Sequence, residues 1–377
     1  MKIEPEGSPS ILNESTTAGN NFSALWRMKP FFDELLVQSK TENGLAIFDP
    51  ELGALASCCS QSQIAHFYAL HGTVSGLNNK KIADALATDI RSRQNINGSF
   101  GGPYNVPIGE EPIEDIAEIG AAADALYRVY DASGSPDAKH VLLSAAEYVL
   151  TRISAENPGA VYKNASTTQF DVLNGNAYAA IVLARAYQVT SDEKYRIQVV
   201  LILEHLIYRF GAHEAGWWAY REDWNGSLEL GFSVAYQATI VGWGSFVSEI
   251  LDPDLHDRWV EVLGEAAELI AREVLSGQTD LNESPTWSRD WGNVWEIYLA
   301  LWRFRAKPSA LAIFDRQWKT FESNISTKGM AFFQSNSPNR ENRSITNSQL
   351  RKAANFAGIS SSIIQGSSLN FLLPLGR

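Results

Sequence analysis

The chain has little cysteine, a deficit of basic residues and no long apolar run. Its two cysteines, Cys58 and Cys59, are immediate neighbours. Adjacent cysteines rarely bridge one another, so no disulfide framework is expected. Lys and Arg number 31 against 43 Asp and Glu, which leaves a net charge of −12. That field disfavours nucleic-acid partners and repels polyanions unless a local basic patch intervenes. Arg209, Arg221 and Arg289 are candidates for such a patch. The stretch Met1 to Thr17 is polar and lacks the apolar segment of a signal peptide. No run is long enough to span a membrane. A cytoplasmic location is therefore the expectation. Also missing are a zinc-protease helix, a P-loop, a nucleophile elbow and a dinucleotide fingerprint. His66 and His71 lie five apart on one helix, which does not fit the spacing of a zinc helix. No metal and no cofactor are expected.

What the chain does have is a repeat. Six polar loops each carry an aromatic or bulky apolar residue and then open into an apolar helix. They lie at Gly44–Phe48, Gly98–Phe100, Gly159–Tyr162, Gly216–Tyr220, Glu283–Trp287 and Gly329–Phe333, and the fifth lacks the glycine. The helices that follow recur at an interval of roughly 57 residues, a long period that indicates an array of helical hairpins. Leu70, Leu126, Leu183 and Leu301 fall in similar registers.

Hydrophobic periodicity divides these hairpins into two sets. Amphipathic outer helices are expected over 22–38, 79–93, 137–153, 192–210, 254–276 and 308–323. Less charged inner helices, rich in small residues and aromatics, are expected over 60–75, 113–131, 172–189, 230–251, 292–305 and 346–364. Small residues from Gly120 to Ala123 permit close approach at the centre of a ring. Inner-to-outer connections are short and outer-to-inner ones long. Long loops in a compact domain are usually functional, and here all six fall on one face. The expectation is an all-α chain: an (α/α)6 toroid over residues 22–377, preceded by an extended arm over 1–21. Short strands are expected within the long loops.

Four segments concentrate chemistry. Gly216–Trp224 holds Trp217, Trp218, Tyr220, Arg221, Glu222 and Trp224, with His213 just before it. Aromatic faces pack on sugar rings, and Arg and carboxylates bind hydroxyls or sugar acids. If this piece is extended, Trp218 and Tyr220 share a face. Phe170–Tyr178 offers Asp171, which also suits a helix cap, and Asn174 one turn on. Trp287–Glu296 offers Arg289, Asp290 and Trp291. Gly109–Asp115 crowds carboxylates at a helix start, where the dipole favours them. The Gly98 loop adds the aromatics Phe100 and Tyr104. His213 is the best-placed histidine; His140, His205 and His256 suit surface or packing roles.

The run Thr167–Tyr178 followed by Ala186–Tyr195 resembles the helical domain of D-glucuronyl C5-epimerases. The resemblance covers about residues 160–250. It implies that Tyr220 is an acid/base and that the helix entrance Ser233–Gln237, with Tyr236, belongs to the site. The family's β-rich leading domain has no counterpart here, and its second catalytic tyrosine falls near Glu114. More faintly, Gln94–Phe100 is similar to a repeat of squalene-cyclase-type toroids, with Asn97 and Phe100 in place of Asp and Trp.

These readings point to an enzyme on a uronate-containing poly- or oligosaccharide that abstracts the C5 proton, as an epimerase or lyase does. Tyr220 would be acid/base, Arg221 or Arg289 would hold the carboxylate, and Trp217, Trp218 and Trp291 would be platforms. Three alternatives stand beside it. One is a glycoside hydrolase with two carboxylates from Asp171, Glu222, Asp223 and Asp290. The others are a non-catalytic glycan- or protein-binding toroid and a terpene-cyclase-like enzyme. The oligomeric state is not legible.

Overall fold

The computed structural model describes residues 23–75, 77–102, 112–275, 295–334 and 348–365. The expected arm at 1–21, Tyr104, and the loop with Arg289, Asp290 and Trp291 lie outside these residues.

The chain alternates outer and inner helices. The first outer position holds α1 (Ser23–Trp26) and α2 (Lys29–Glu34), and inner helix α3 (Cys58–Ser75) follows. Next come α4 (Leu77–Arg93) outside, α5 (Ile116–Ser133) inside, α6 (Pro136–Leu150) outside and α7 (Leu173–Thr190) inside. Then come α8 (Glu193–Arg209) outside, α9 (Val234–Val247) inside, α10 (Pro253–Leu275) outside and α11 (Trp295–Arg303) inside. The series ends with α12 (Pro308–Lys328) outside and α13 (Gln349–Gln365) inside. Each inner helix packs on the next, and α13 packs back on α3. The ring is closed: an (α/α)6 toroid.

Sequence explains the two layers. Outer helix α10 buries one stripe, including Leu255, Trp259, Leu263, Ala266, Ile270 and Val274, which is the 3.6-residue period of a one-sided helix. Inner helix α9 is buried from Gln237 to Val247 on every side. Where inner helices meet, small residues set the spacing. A Cβ on Gly120 of α5 would lie 2.6 Å from Tyr178 of α7. The short connections are capped as their sequences suggest. Gly134 takes φ 74° at the end of α5, and Ser135 accepts from the Ala138 N–H at the start of α6. Among the described residues no helix is long and apolar enough to cross a membrane.

The long connections carry small antiparallel sheets. β1 (Leu36–Gln38), β2 (Leu45–Asp49) and β3 (Ala54–Leu55) form one, and β4 (Gly101–Gly102) pairs with β5 (Ile113–Glu114). β6 (Phe170–Val172), β7 (Arg221–Asp223) and β8 (Leu228–Leu230) form the third, with Asp171 opposite Glu222. One expected helix is broken. Of the span 22–38, the described residues 23–38 form two short helices and a strand, not one helix. Pro30 has no N–H to give and sits in the first turn of α2, so it restarts the helix. Asn43, at φ 61°, then turns β2 back onto β1.

Gly98 illustrates how tightly a loop is fixed. Its φ is +89°, and a Cβ there would lie 2.1 Å from the Ser144 carbonyl oxygen. Gly98→Ala is therefore expected to lose at least about 2 kcal/mol, because strained backbone and steric overlap add. A drop of under 0.5 kcal/mol in chemical denaturation, by the same principle, would show that the loop relaxes freely.

A second polar cluster fills the ring towards the C-terminal ends of the inner helices. Arg185 of α7 donates to Asp124 of α5 at 2.8 Å and 2.6 Å. Both residues are 1% exposed. The guanidiniums of Arg128, Arg185 and Arg303 lie 5.2, 5.2 and 4.4 Å from the Phe246 ring centre. This cluster ties α5, α7, α9 and α11 together.

Candidate functional site

A cavity open to solvent lies at the N-terminal ends of all six inner helices. Each inner helix contributes from its first two turns. α3 supplies Cys59, Ser60 and Gln63, and α5 supplies Ala117, Glu118 and Ala121. α7 supplies Asn174 and Tyr178, and α9 supplies Ala235, Tyr236 and Thr239. α11 supplies Glu296, and α13 supplies Arg351, Lys352 and Asn355. The one lining residue outside a helix is Lys163, from the loop between α6 and α7. The long loops all enter the inner helices at this end, which is why it carries the chemistry.

Two carboxyls line the cavity in unlike surroundings. Glu118 is ion-paired with Arg351 at 2.6 Å across the ring from α5 to α13. Burial pushes the Glu296 carboxyl above its ordinary pKa, and the Arg351 charge and a hydrogen bond with Tyr178 only partly offset this. Burial likewise keeps the Cys59 thiol neutral, with the Glu118 carboxyl beside it pushing the same way. Tyr178 is also held as a phenol, chiefly by burial and then by Glu296. The site thus offers a carboxyl whose pKa is raised by burial and an ion-paired carboxylate in one space.

A second wall is aromatic and basic. Tyr220 stacks on Tyr236 with centroids 4.0 Å apart. The Lys163 ammonium lies 5.9 Å from the Tyr220 ring centre and 3.5 Å from Asp115. Asn174 is 5% exposed, and its side-chain oxygen has no hydrogen-bond partner.

The sequence candidates scatter around this cavity. Tyr236 and Asn174 line it, and Tyr220 adjoins it through the stack. Glu222 does not line it. It is 1% exposed and accepts from Arg209 at 2.7 Å and binds His213 at 2.9 Å, so carboxylate and imidazole are consumed in holding the loop. Asp171 is likewise committed, to His205 at 2.6 Å and Asn176 at 2.8 Å. It ties β6 to α8 rather than capping α7, whose cap position is Val172. Trp218 is a core residue between Phe210 and Trp259, and its indole donates to the Leu206 carbonyl. It therefore does not share a surface with Tyr220, because the chain at 217–220 is irregular and not a strand. Trp217 packs on Phe232, and Phe100 is core at 2% exposure. Arg221 covers Phe170 at 4.1 Å and pairs with Glu229. Trp224 donates to the Thr168 carbonyl and meets Tyr162 edge-on. Glu114 accepts from Tyr148 and Ser99 at the edge of β5.

Glu118, Lys163, Glu296, Arg351 and Lys352 carry the cavity's charge, and of these only Glu296 stands in a segment that the sequence marked, Trp287–Glu296. A signal existed. Cys59, Asn174 and Glu296 are the second residues of their helices, and Glu118, Tyr236 and Arg351 the third. A charge at that register of an otherwise apolar helix marks the cavity. Among the described residues, no group of three or more His, Cys, Asp or Glu is arranged to hold a metal ion.

No protein-family model matches the chain, and no curated protein sequence matches it. Solved structures do. A cellobiose 2-epimerase from Spirochaeta thermophila aligns over 95% of this chain and 99% of its own, at 14% identity and a TM-score of 0.64. A D-mannose isomerase aligns over 94% and 99%, at 10% identity and a TM-score of 0.62. A family 76 glycoside hydrolase from a bovine Bacteroides thetaiotaomicron strain aligns over 92% and 78%, at 12% identity and a TM-score of 0.60. At these identities the likeness establishes the shared (α/α)6 toroid.

Proposed function

We propose that the protein is a carbohydrate-active enzyme that works by acid–base chemistry in the ring cavity. The observation that carries this is the pair of lining carboxyls with unlike environments, Glu296 raised by burial and Glu118 paired with Arg351. Divergent environments separate an acid from a base. Glu296 is the proton donor to a glycosidic or carbonyl oxygen. Glu118 orients a water or stabilises the positive charge that develops on the sugar. The cavity's many amide, hydroxyl and phenol groups suit a polyol. The names of the structural neighbours, all sugar enzymes, agree with this class. Glycoside hydrolysis is the reaction that two carboxyls serve most directly.

A second reading keeps the C5 chemistry of a uronate. It is favoured by the Tyr220–Tyr236 stack with Lys163 beside it. Here a phenol moves the proton and the ammonium balances the charge that forms. The two readings separate in one assay set on an oligosaccharide panel. A hydrolase releases reducing ends, a lyase creates an ultraviolet-absorbing unsaturated product, and an epimerase takes up solvent deuterium without cleavage. Glu118→Gln is expected to lose at least about a hundredfold in turnover, the scale of one acid–base group. If no member of the panel gives any of the three signals, the carbohydrate reading fails.

A further inference from the structure

We propose that the starts of α7 and α9, with Lys163 beside them, form a subsite for an anionic substituent of the sugar. This rests on the carbohydrate reading above and names the class within it: an acidic sugar bearing a carboxylate, sulfate or phosphate.

The inner helices do not finish their first turns alike. α5 is closed by its own sequence, because the Asp115 carboxylate accepts from the Ala117 N–H at 2.8 Å. α7 begins at Val172, which has no side chain able to cap, and no side-chain cap is made. α9 begins at Ser233, a residue type suited to capping, yet Ser233 makes no capping hydrogen bond. Its hydroxyl is buried and has no partner. The first-turn N–H groups of a helix lack intrahelical acceptors, and the dipole makes that end positive. At α7 the Leu173 N–H is met by the Tyr220 carbonyl at 3.3 Å.

A second, independent observation places a ligand there. Asn174, the second residue of α7, lines the cavity at 5% exposure with an unpartnered side-chain oxygen. Such a group is costly to bury unless something binds it. Half a turn of the amide exchanges its oxygen for its NH2, so Asn174 serves either an acceptor or a donor on the ligand. Lys163 completes the set. Its stem lies over the start of α7, with Cγ 3.5 Å from where a Gly175 Cβ would sit. Its ammonium adjoins Tyr220, which stacks on Tyr236, the third residue of α9. Lys163 is therefore sited where the two helix starts meet. Asp115, at 3.5 Å, is a loose partner that leaves its donors available. An oxyanion group would collect main-chain N–H groups, the Asn174 amide and the ammonium together.

The test is ligand-induced thermal stabilisation of the full chain at fixed ionic strength. The probes are D-glucuronate, glucose 6-sulfate, glucose 6-phosphate, glucose and inorganic sulfate. At least one acidic hexose is expected to bind ten times more tightly than glucose. Lys163→Met should abolish that preference, weakening the acidic hexose at least ten times more than glucose. Lys163→Arg should retain it, which a merely structural role of Lys163 would not require. The arm that wins identifies the oxyanion. If glucose binds as tightly as every acidic hexose, or Lys163→Met keeps the preference, the subsite is overturned while the carbohydrate reading stands. If inorganic sulfate alone binds, saturably and dependent on Lys163, the anion site stands and the sugar class falls. If no probe binds, the subsite is overturned.

Discussion

Glu296→Gln is expected to lower turnover by about 10²–10⁴-fold, the contribution of one positioned general acid. The same change is expected to stabilise the fold at neutral and alkaline pH. The physical reason is that one environment produces both effects. Burial lifts the Glu296 carboxyl above its ordinary pKa. Its folded pKa thus exceeds its unfolded one, and the favourable contribution of the neutral acid is complete below the unfolded value. It is lost as pH rises through the folded pKa, where the fold must either carry a buried charge or retain a proton at a cost. Glutamine has the same shape and no charge to bury. The melting-temperature difference between variant and wild type should be near zero at the unfolded pKa and grow with pH. Scanning calorimetry at several pH values measures this, and a difference that shrinks with pH would remove Glu296 as the buried acid. Unchanged turnover would remove it as the catalyst. The wild-type rate should fall on the alkaline side, as the acid loses its proton.

The largest effect on stability is expected from Arg185→Leu, about 3–5 kcal/mol, because it strands a buried charge. Asp124 is 1% exposed, and its carboxyl is held down to about 2; burial opposes the ionised form, and Arg185 followed by Arg128 outweighs it. Without Arg185, Asp124 keeps Ser362 at 3.1 Å and Arg128 at 3.8 Å. Three inner helices would then face a buried carboxylate left with only these weaker partners. The double variant Asp124→Asn, Arg185→Leu removes the stranded charge and should recover a substantial part of the loss, since paired polar groups contribute little net and broken pairs cost much. Denaturant titration of these three proteins and of Asp124→Asn gives the coupling. A loss of under about 1 kcal/mol for Arg185→Leu, the scale of an exposed pair, would show that water reaches the cluster.

The architecture was legible because its signals are local. Apolar residues at helical spacing, Ser135 and Asp192 at helix entries, and Gly134 at a helix end lie within a turn of what they specify. The break at Pro30 was local too and was missed, because the strand Leu36–Gln38 depends on its partner Leu45–Ile47. The candidate site was less legible. The tryptophan loop around Gly216 drew attention by its composition. Yet Trp218 belongs to the core, and Glu222 and His213 close on Arg209 and each other. A string of aromatic and charged residues reads the same whether it faces a ligand or its own chain.

The sequence by itself determined the toroid, its two layers and the face that holds the long loops, since periodicity and punctuation are properties of neighbouring residues. Only the tertiary structure decided which side chains meet. Glu118 and Arg351 stand 233 residues apart and are joined across the ring at 2.6 Å. Ring closure sets α13 against α3 and turns six separate helix starts into one cavity. The environment of Glu296, and hence the upward shift of its pKa, exists only once that closure has buried it.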